Sequence, residues 1–208
     1  MAVAGKVSLE PRKSPVQARA AVSVESILEA TLQVLLELGQ AKLTTTRVAE
    51  RAGVSVGTLY QYFPNKSALL QTVMERHLLS IAETVETACA ALHGQPLEKM
   101  AEGVVRAFLR VKLGDLRKSM ALYALSHDVD KARIVRKSTG RSEAAIAAML
   151  RTAPVPLQTE PDVAASLLAD MLAGVSRRLV EAERPKKYAE AMQAELIVAA
   201  KAYLAASL

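Results

Sequence analysis

Apolar positions recur along most of this chain at the three- and four-residue spacing of an amphipathic helix. In residues 22–38 the stripe is Ile27, Thr31, Val34, Leu35 and Leu38, and Gly39 stops it. Two short helical segments, 45–52 and 56–62, flank the tight break Ala52-Gly53-Val54-Ser55. From Lys66 no Gly or Pro intervenes until Gly94, which allows a single helix of about 27 residues. After Gly94-Gln95-Pro96, the residues Met100, Val104, Phe108 and Val111 mark one face of the next helix; Gly114 breaks it and 116–128 continues as a shorter one. Residues 130–151, with Ile134, Ile146, Met149 and Leu150, form another. Gly140 in its middle weakens it by about 1 kcal/mol relative to Ala. Pro154, Pro156 and Pro161 mark a loop, and two helices finish the chain. The first, 162–181, is striped by Val163, Leu167, Met171, Val175 and Leu179; the second, 186–206, by Tyr188, Met192, Leu196, Ala199 and Tyr203. The pattern predicts an all-α fold.

Residues 43–66, LTTTRVAERAGVSVGTLYQYFPNK, carry the densest local signals. Thr45 or Thr46 can cap the first short helix, whose apolar face is Val48, Ala49 and Ala52. Gly53 stands where a helix ends in a left-handed backbone. Ser55 is placed to cap the next helix through its hydroxyl, with Val54 and Leu59 as a hydrophobic staple around it. Two short helices joined by a glycine-containing turn make a helix-turn-helix over about residues 45–64, whose second helix can enter a DNA major groove. Val56, Gly57, Thr58, Tyr60 and Gln61 make its outward face, while Leu59 and Phe63 supply the packing. Thr45, Thr46, Ser55, Tyr60, Tyr62 and Lys66 are the candidates for phosphate contact, because hydroxyl and ammonium donors suit phosphate oxygens. Val56, Gly57, Thr58 and Gln61 are candidates for base edges or close groove approach, and Arg47 for backbone or base. Lys66 follows a capping Asn65 at a helix start, an end that already favours a phosphate.

The joined run AGVSVGTLYQYFPNK, with TTTRVAE before it and SILEAT further upstream, resembles the DNA-binding domain of the tetracycline-repressor (TetR) family. The resemblance is close over about residues 23–75 and extends beyond them only in length and helical layout. It implies a two-domain, nine-helix architecture. A three-helix DNA-binding head at 22–66 would follow a flexible basic arm at 1–21, and six helices at 67–208 would bind an effector and dimerise. Members of the family typically act as dimeric repressors that a small ligand releases from a palindromic operator. Many carry Lys where this chain has Val56; Val predicts a weaker salt dependence or an apolar contact with a thymine methyl.

Composition narrows the class. Of 208 residues, 51% are hydrophobic but only 3% aromatic with no Trp, so the core is built from Ala, Leu, Val and Met. The net charge is +6, and residues 1–66 carry 8 Lys/Arg against 5 Asp/Glu. The basic excess is therefore denser at the N-terminal end, as a polyanion partner would require. The stretch 1–21 holds Lys6, Arg12, Lys13 and Arg19 without apolar periodicity. It is either an arm that reaches along a minor groove or a tail that only adds positive potential. Cys89 is the single cysteine, so no intramolecular disulfide can form, and its place in TACAAL suits a small buried residue. Neither a signal peptide nor a membrane span is expected, which predicts a cytoplasmic protein.

The second domain is less legible. An effector pocket would lie among residues 96–180, around Phe108, Met120, Tyr123, His127, Met149 and Met171. Met lining suits an adaptable apolar ligand, although Met and Phe at helical spacing also serve as plain core. A closed apolar cavity of about 300 Å³ or more would favour an effector, and a filled core would favour a regulator without one. The stripes and small residues of 162–206 suit half of a four-helix bundle completed by a two-fold mate, or packing within one subunit. His77, His93 and His127 are scattered and no metal-ligand spacing is present, so neither metal nor cofactor is expected. No nucleophile elbow or phosphate loop occurs, which leaves an all-α enzyme or scaffold as the weakest reading.

Overall fold

A computed structural model of the protein describes residues 15–125, 131–182 and 185–207. Nine α-helices and no strand occur among them. They are α1 (Pro15–Lys42), α2 (Thr45–Ala52), α3 (Val56–Tyr62), α4 (Lys66–Ala91), α5 (Leu97–Gly114), α6 (Leu116–Tyr123), α7 (Lys131–Leu150), α8 (Pro161–Glu181) and α9 (Pro185–Ala206). The chain divides into two compact units between Leu69 and Leu70.

In the first unit α1 begins at Pro15, so residues 15–21 belong to a helix and not to the flexible arm expected over 1–21. Proline fixes a helical φ and has no N–H to lose at a helix start. Residues 1–14 lie outside the described residues. Gly39 has φ 76 and ψ 168, a non-helical kink that ends the regular part of α1 where the apolar stripe stops. Ile27, Val34, Leu35, Leu43, Val48, Leu59 and Leu69 are all buried and form the centre of this unit. Thr31, inside the stripe of α1, is equally buried, and its hydroxyl donates to the Ile27 carbonyl at 2.7 Å. The Arg51 guanidinium forks onto the Glu37 carboxylate at 2.8 and 2.6 Å, fastening the end of α2 to α1. Bidentate geometry gives that pair directional precision, while its exposure keeps its energetic weight small.

In the second unit α5 packs most extensively on α9, and α7 on α8. Val85 and Cys89 of α4 join Met100, Val104 and Leu109 of α5, Ile146, Met149 and Leu150 of α7, Leu168 and Leu172 of α8 and Leu196 and Leu204 of α9 in one continuous core. Gly114 stays helical and the chain turns at Asp115, whose carboxylate accepts the Lys118 N–H at 3.0 Å to cap α6. Helix α6 ends at Tyr123, short of the expected 128. Ion pairs among the described residues cross between helices: Lys137 to Glu75 at 2.7 Å, Arg141 to Glu86 at 2.8 and 2.6 Å, and Lys201 to Glu102 at 2.6 Å. Burial, and then the charge of Glu86, pushes the Cys89 thiol up to about 12. That thiol stays protonated and is a poor nucleophile.

Two methionines test this partition of core from surface. Met149 is fully buried, whereas Met120 is 37% exposed. Met149→Ala is expected to cost about 2–5 kcal/mol in urea unfolding, and Met120→Ala no more than about 0.5 kcal/mol. Equal losses would show that the core does not run where these helices put it.

Candidate functional site

The helix-turn-helix is assembled almost entirely by backbone accounting. Thr44, rather than Thr45 or Thr46, caps α2: it has extended backbone, and its hydroxyl accepts the Arg47 N–H at 3.3 Å. The residue just before the first helical turn has that geometry, and the two threonines after it are already helical. Gly53 closes α2 in the left-handed region at φ 68, ψ 29. Its N–H donates to the Glu50 carbonyl at 3.2 Å, and that of Val54 reaches the Ala49 carbonyl at 3.0 Å. This pair of bonds is the Schellman arrangement, which satisfies carbonyls that a helix end otherwise leaves open. Ser55 then accepts the Thr58 N–H at 3.0 Å and starts α3. Asn65 accepts the Ala68 N–H at 2.8 Å and starts α4.

The candidate DNA contacts fall into two groups. Thr46, Arg47, Ser55, Val56, Gly57, Tyr60, Gln61 and Tyr62 are exposed, with Leu59 and Phe63 buried beneath them. Thr45, Thr58 and Lys66 are half-buried. Several of these groups also brace the head. The Thr45 and Tyr60 hydroxyls lie 3.1 Å apart and bridge α2 to α3. The Thr58 hydroxyl sits 2.8 Å from that of Ser55. Arg47 donates to the Lys42 carbonyl at 2.5 Å, and Lys66 to the Gln40 carbonyl at 2.8 Å. Each keeps further N–H donors, since a guanidinium has five and an ammonium three.

The second unit contains a cavity of about 200 Å³, between α4, α5, α6, α7 and α8. Its walls are largely apolar: Ile81, Val85, Phe108, Leu122, Ile146 and Leu172 are among them. Of the expected lining residues, Phe108 and Tyr123 line it. Met149 and Met120 do not: Met149 is packed into the core and Met120 faces outward. Met171 packs against the core beside a separate space of about 10 Å³. His127 lies outside the described residues. The polar members are His77, Lys112 and Ser119, with Ser138, Thr139, Ser142, Ser176 and Arg177. His77 Nε2 lies 3.3 Å from Ser119 Oγ. Burial, reinforced by the charges of Lys112 and Lys118, pushes His77 down to about 4, so its imidazole is neutral. Sequence reasoning missed His77 as a cavity residue; its place between Met74 and Ile81 at helical spacing was the available signal.

Residues 27–73 match bacterial regulatory proteins of the tetR family, and residues 96–204, just over half of the chain, match the tetracyclin repressor-like C-terminal domain. The chain belongs to the TetR family. It is 39% identical over 74 residues to the HTH-type transcriptional repressor KstR of Mycolicibacterium smegmatis, covering 36% of each chain. It spans about a third of the length of the curated relatives it matches. Among solved structures it is similar to the fatty acid degradation regulator FadR from Bacillus halodurans, with TM-score 0.63, 15% identity and 85% and 97% of the two chains covered. It is also similar to SmeT in complex with triclosan, with TM-score 0.56, 23% identity and 82% and 89% covered.

Within this TetR head Gly57 has no structural reason to lack a side chain. A Cβ built there meets only Ser55 Oγ, at an ordinary 3.7 Å, and its backbone is helical. Gly in a helix costs up to about 1 kcal/mol relative to Ala, and glycine admits close approach of a partner to the backbone. Gly57→Ala should therefore raise or preserve the melting temperature while weakening DNA retention at least tenfold. Unchanged retention would remove Gly57 from the interface. Among the described residues no helix is long and apolar enough to cross a membrane, and no His/Cys/Asp/Glu group could hold a metal.

Proposed function

We propose that the chain is a sequence-specific, dimeric DNA-binding transcriptional repressor whose second unit binds a small ligand. The observation that carries this reading is the doubly capped helix-turn-helix, whose α3 exposes Val56, Gly57, Tyr60, Gln61 and Tyr62 around a glycine that packing does not require. Phosphate contact falls to Thr45, Thr46, Ser55, Tyr60, Tyr62 and Lys66. Val56, Gly57, Thr58 and Gln61 face the groove, and Arg47 flanks them. The repressor assignment draws on the relative named a transcriptional repressor, and the ligand on the triclosan complex of a fold neighbour.

A second copy of the chain is supported by an apolar surface on α8 and α9. Val163 and Leu167, one turn apart on α8, are 59% and 43% exposed, and Val198 on α9 is 62% exposed. Exposed valine and leucine flanked by small residues suit an isologous helix pair across a two-fold axis. Two recognition helices spaced about 34–36 Å apart would then read a palindromic operator. The ligand acts by favouring a conformer with poor operator affinity, and only as far as its own affinities for the two conformers differ.

A second reading, a regulator without effector, draws on the size of the cavity. Its volume of about 200 Å³ lies below the roughly 300 Å³ at which ligand pockets usually begin. It is still far larger than the ~15 Å³ a single water requires.

Sequencing the genomic fragments that the purified protein retains tests the central claim; a palindromic consensus is expected, and random fragments would overturn it. On that consensus Gln61→Ala should reduce discrimination against single-base changes by about 1–3 kcal/mol, read by competition gel shift. Leu167→Glu should convert the dimer to monomer in sedimentation and abolish retention. A dimer that survives this charge places the interface elsewhere.

A further inference from the structure

Charge in the cavity of the second unit is one-sided. Lys112 from α5, Arg177 from α8 and His77 from α4 line it, and among the described residues no Asp or Glu does. The polar residues from α6 and α7 that line it are uncharged hydroxyl groups such as Ser119, Ser138 and Ser142. Arg177 is exposed, whereas Lys112 is drawn inward: its Nζ stands 5.8 Å from the centroid of the Phe108 ring, itself a lining residue. Lys112 makes no ion pair with any described carboxylate. Asp115, which acts on His77, is already engaged in capping α6. Burial pushes the Lys112 ammonium down to about 8, so most of it is still protonated at neutral pH.

Lys112 is half-buried, so its ammonium gives up part of its hydration without a counter-ion, and an anion that enters the site offsets that cost. We propose that this cavity binds an amphipathic carboxylate, its hydrocarbon against Ile81, Phe108 and Leu172 and its carboxylate on the Lys112 ammonium. The neutral His77 and Ser119, 3.3 Å apart, provide a polar, uncharged wall beside that headgroup. The site rejects cations for the same reason that it accepts an anion, since Lys112 and Arg177 both repel them. The inference rests on the ligand-binding reading above and gives that ligand a chemical class.

Isothermal titration of the full chain with octanoate and dodecanoate, each against the alcohol and the alkylammonium of the same length, tests it. For at least one length the carboxylate should bind ten times or more tighter than the alcohol, and the ammonium weaker than both. Lys112→Met should erase the preference for carboxylate while the alcohol still binds, and Lys112→Arg should keep it. Equal affinities for the three headgroups overturn the charge assignment and leave a ligand cavity standing. A carboxylate preference that survives in Lys112→Met overturns it as well. If Lys112→Met fails to fold, the headgroup series and Lys112→Arg decide. Absence of binding by every probe overturns the proposal, and retention of operator fragments by the same preparation reports separately on the DNA-binding function.

Discussion

Between α2 and α3 the chain turns within three residues, and the backbone donors and acceptors in that turn have to find partners in a very small space. Gly53 in the left-handed region lets its own N–H and that of Val54 return to Glu50 and Ala49. The next residue, Ser55, closes the start of α3 with its hydroxyl. A Cβ at Gly53 would meet no neighbour, so the demand for glycine is conformational and not steric. The turn sets the direction in which α3 leaves α2, and hence which of its faces is left outside once Leu59 and Phe63 are buried. The exposed row on α3 is thus a consequence of how one turn satisfies its hydrogen bonds.

Several candidate contact residues also support the head. Thr45 and Tyr60 bond each other across α2 and α3, while Arg47 and Lys66 each donate to a carbonyl near the end of α1. Groups held this way lose less rotamer freedom on meeting a phosphate than free surface side chains would, so the ordering cost is partly met within the folded head. Val56 works against this in affinity terms. It supplies no cation at the start of α3, whereas each phosphate contact by one contributes about 0.9 to the salt slope.

Legibility from sequence divided along physical lines. The turn at Gly53, the cap at Ser55 and the burial of Leu59 were readable because each depends on residues within five positions. The cap of α2 falls one or two residues before the expected Thr45 or Thr46, since three consecutive threonines offer equivalent hydroxyls and only backbone geometry singles out Thr44. The start of α1 was misjudged because a proline-containing basic stretch looks like a loop, although proline at a first helical position supports a helix. In the second unit the failure is of another kind. Met149, Met171 and Phe108 all sit on apolar stripes, and a stripe says that a residue is turned inward without saying whether a neighbour fills the space before it. Phe108 faces a gap and Met149 does not. That difference depends on the packing of five helices at once.

Lys112 and His77 show the same dependence on packing. Both lie on faces that turn inward, and both are forced away from their ordinary protonation behaviour by burial. They respond differently. The imidazole gives up its proton and becomes a neutral partner for Ser119, which removes the cost of burying it charged. The ammonium is pushed down only to about 8 and so lines the cavity charged, without an acidic neighbour among the described residues of its walls. A core selected for stability alone would place an apolar side chain there. An anion beside the Lys112 ammonium would offset the hydration that half-burial removes. A ligand of that charge would shift the balance between conformers only by the difference in its affinity for them.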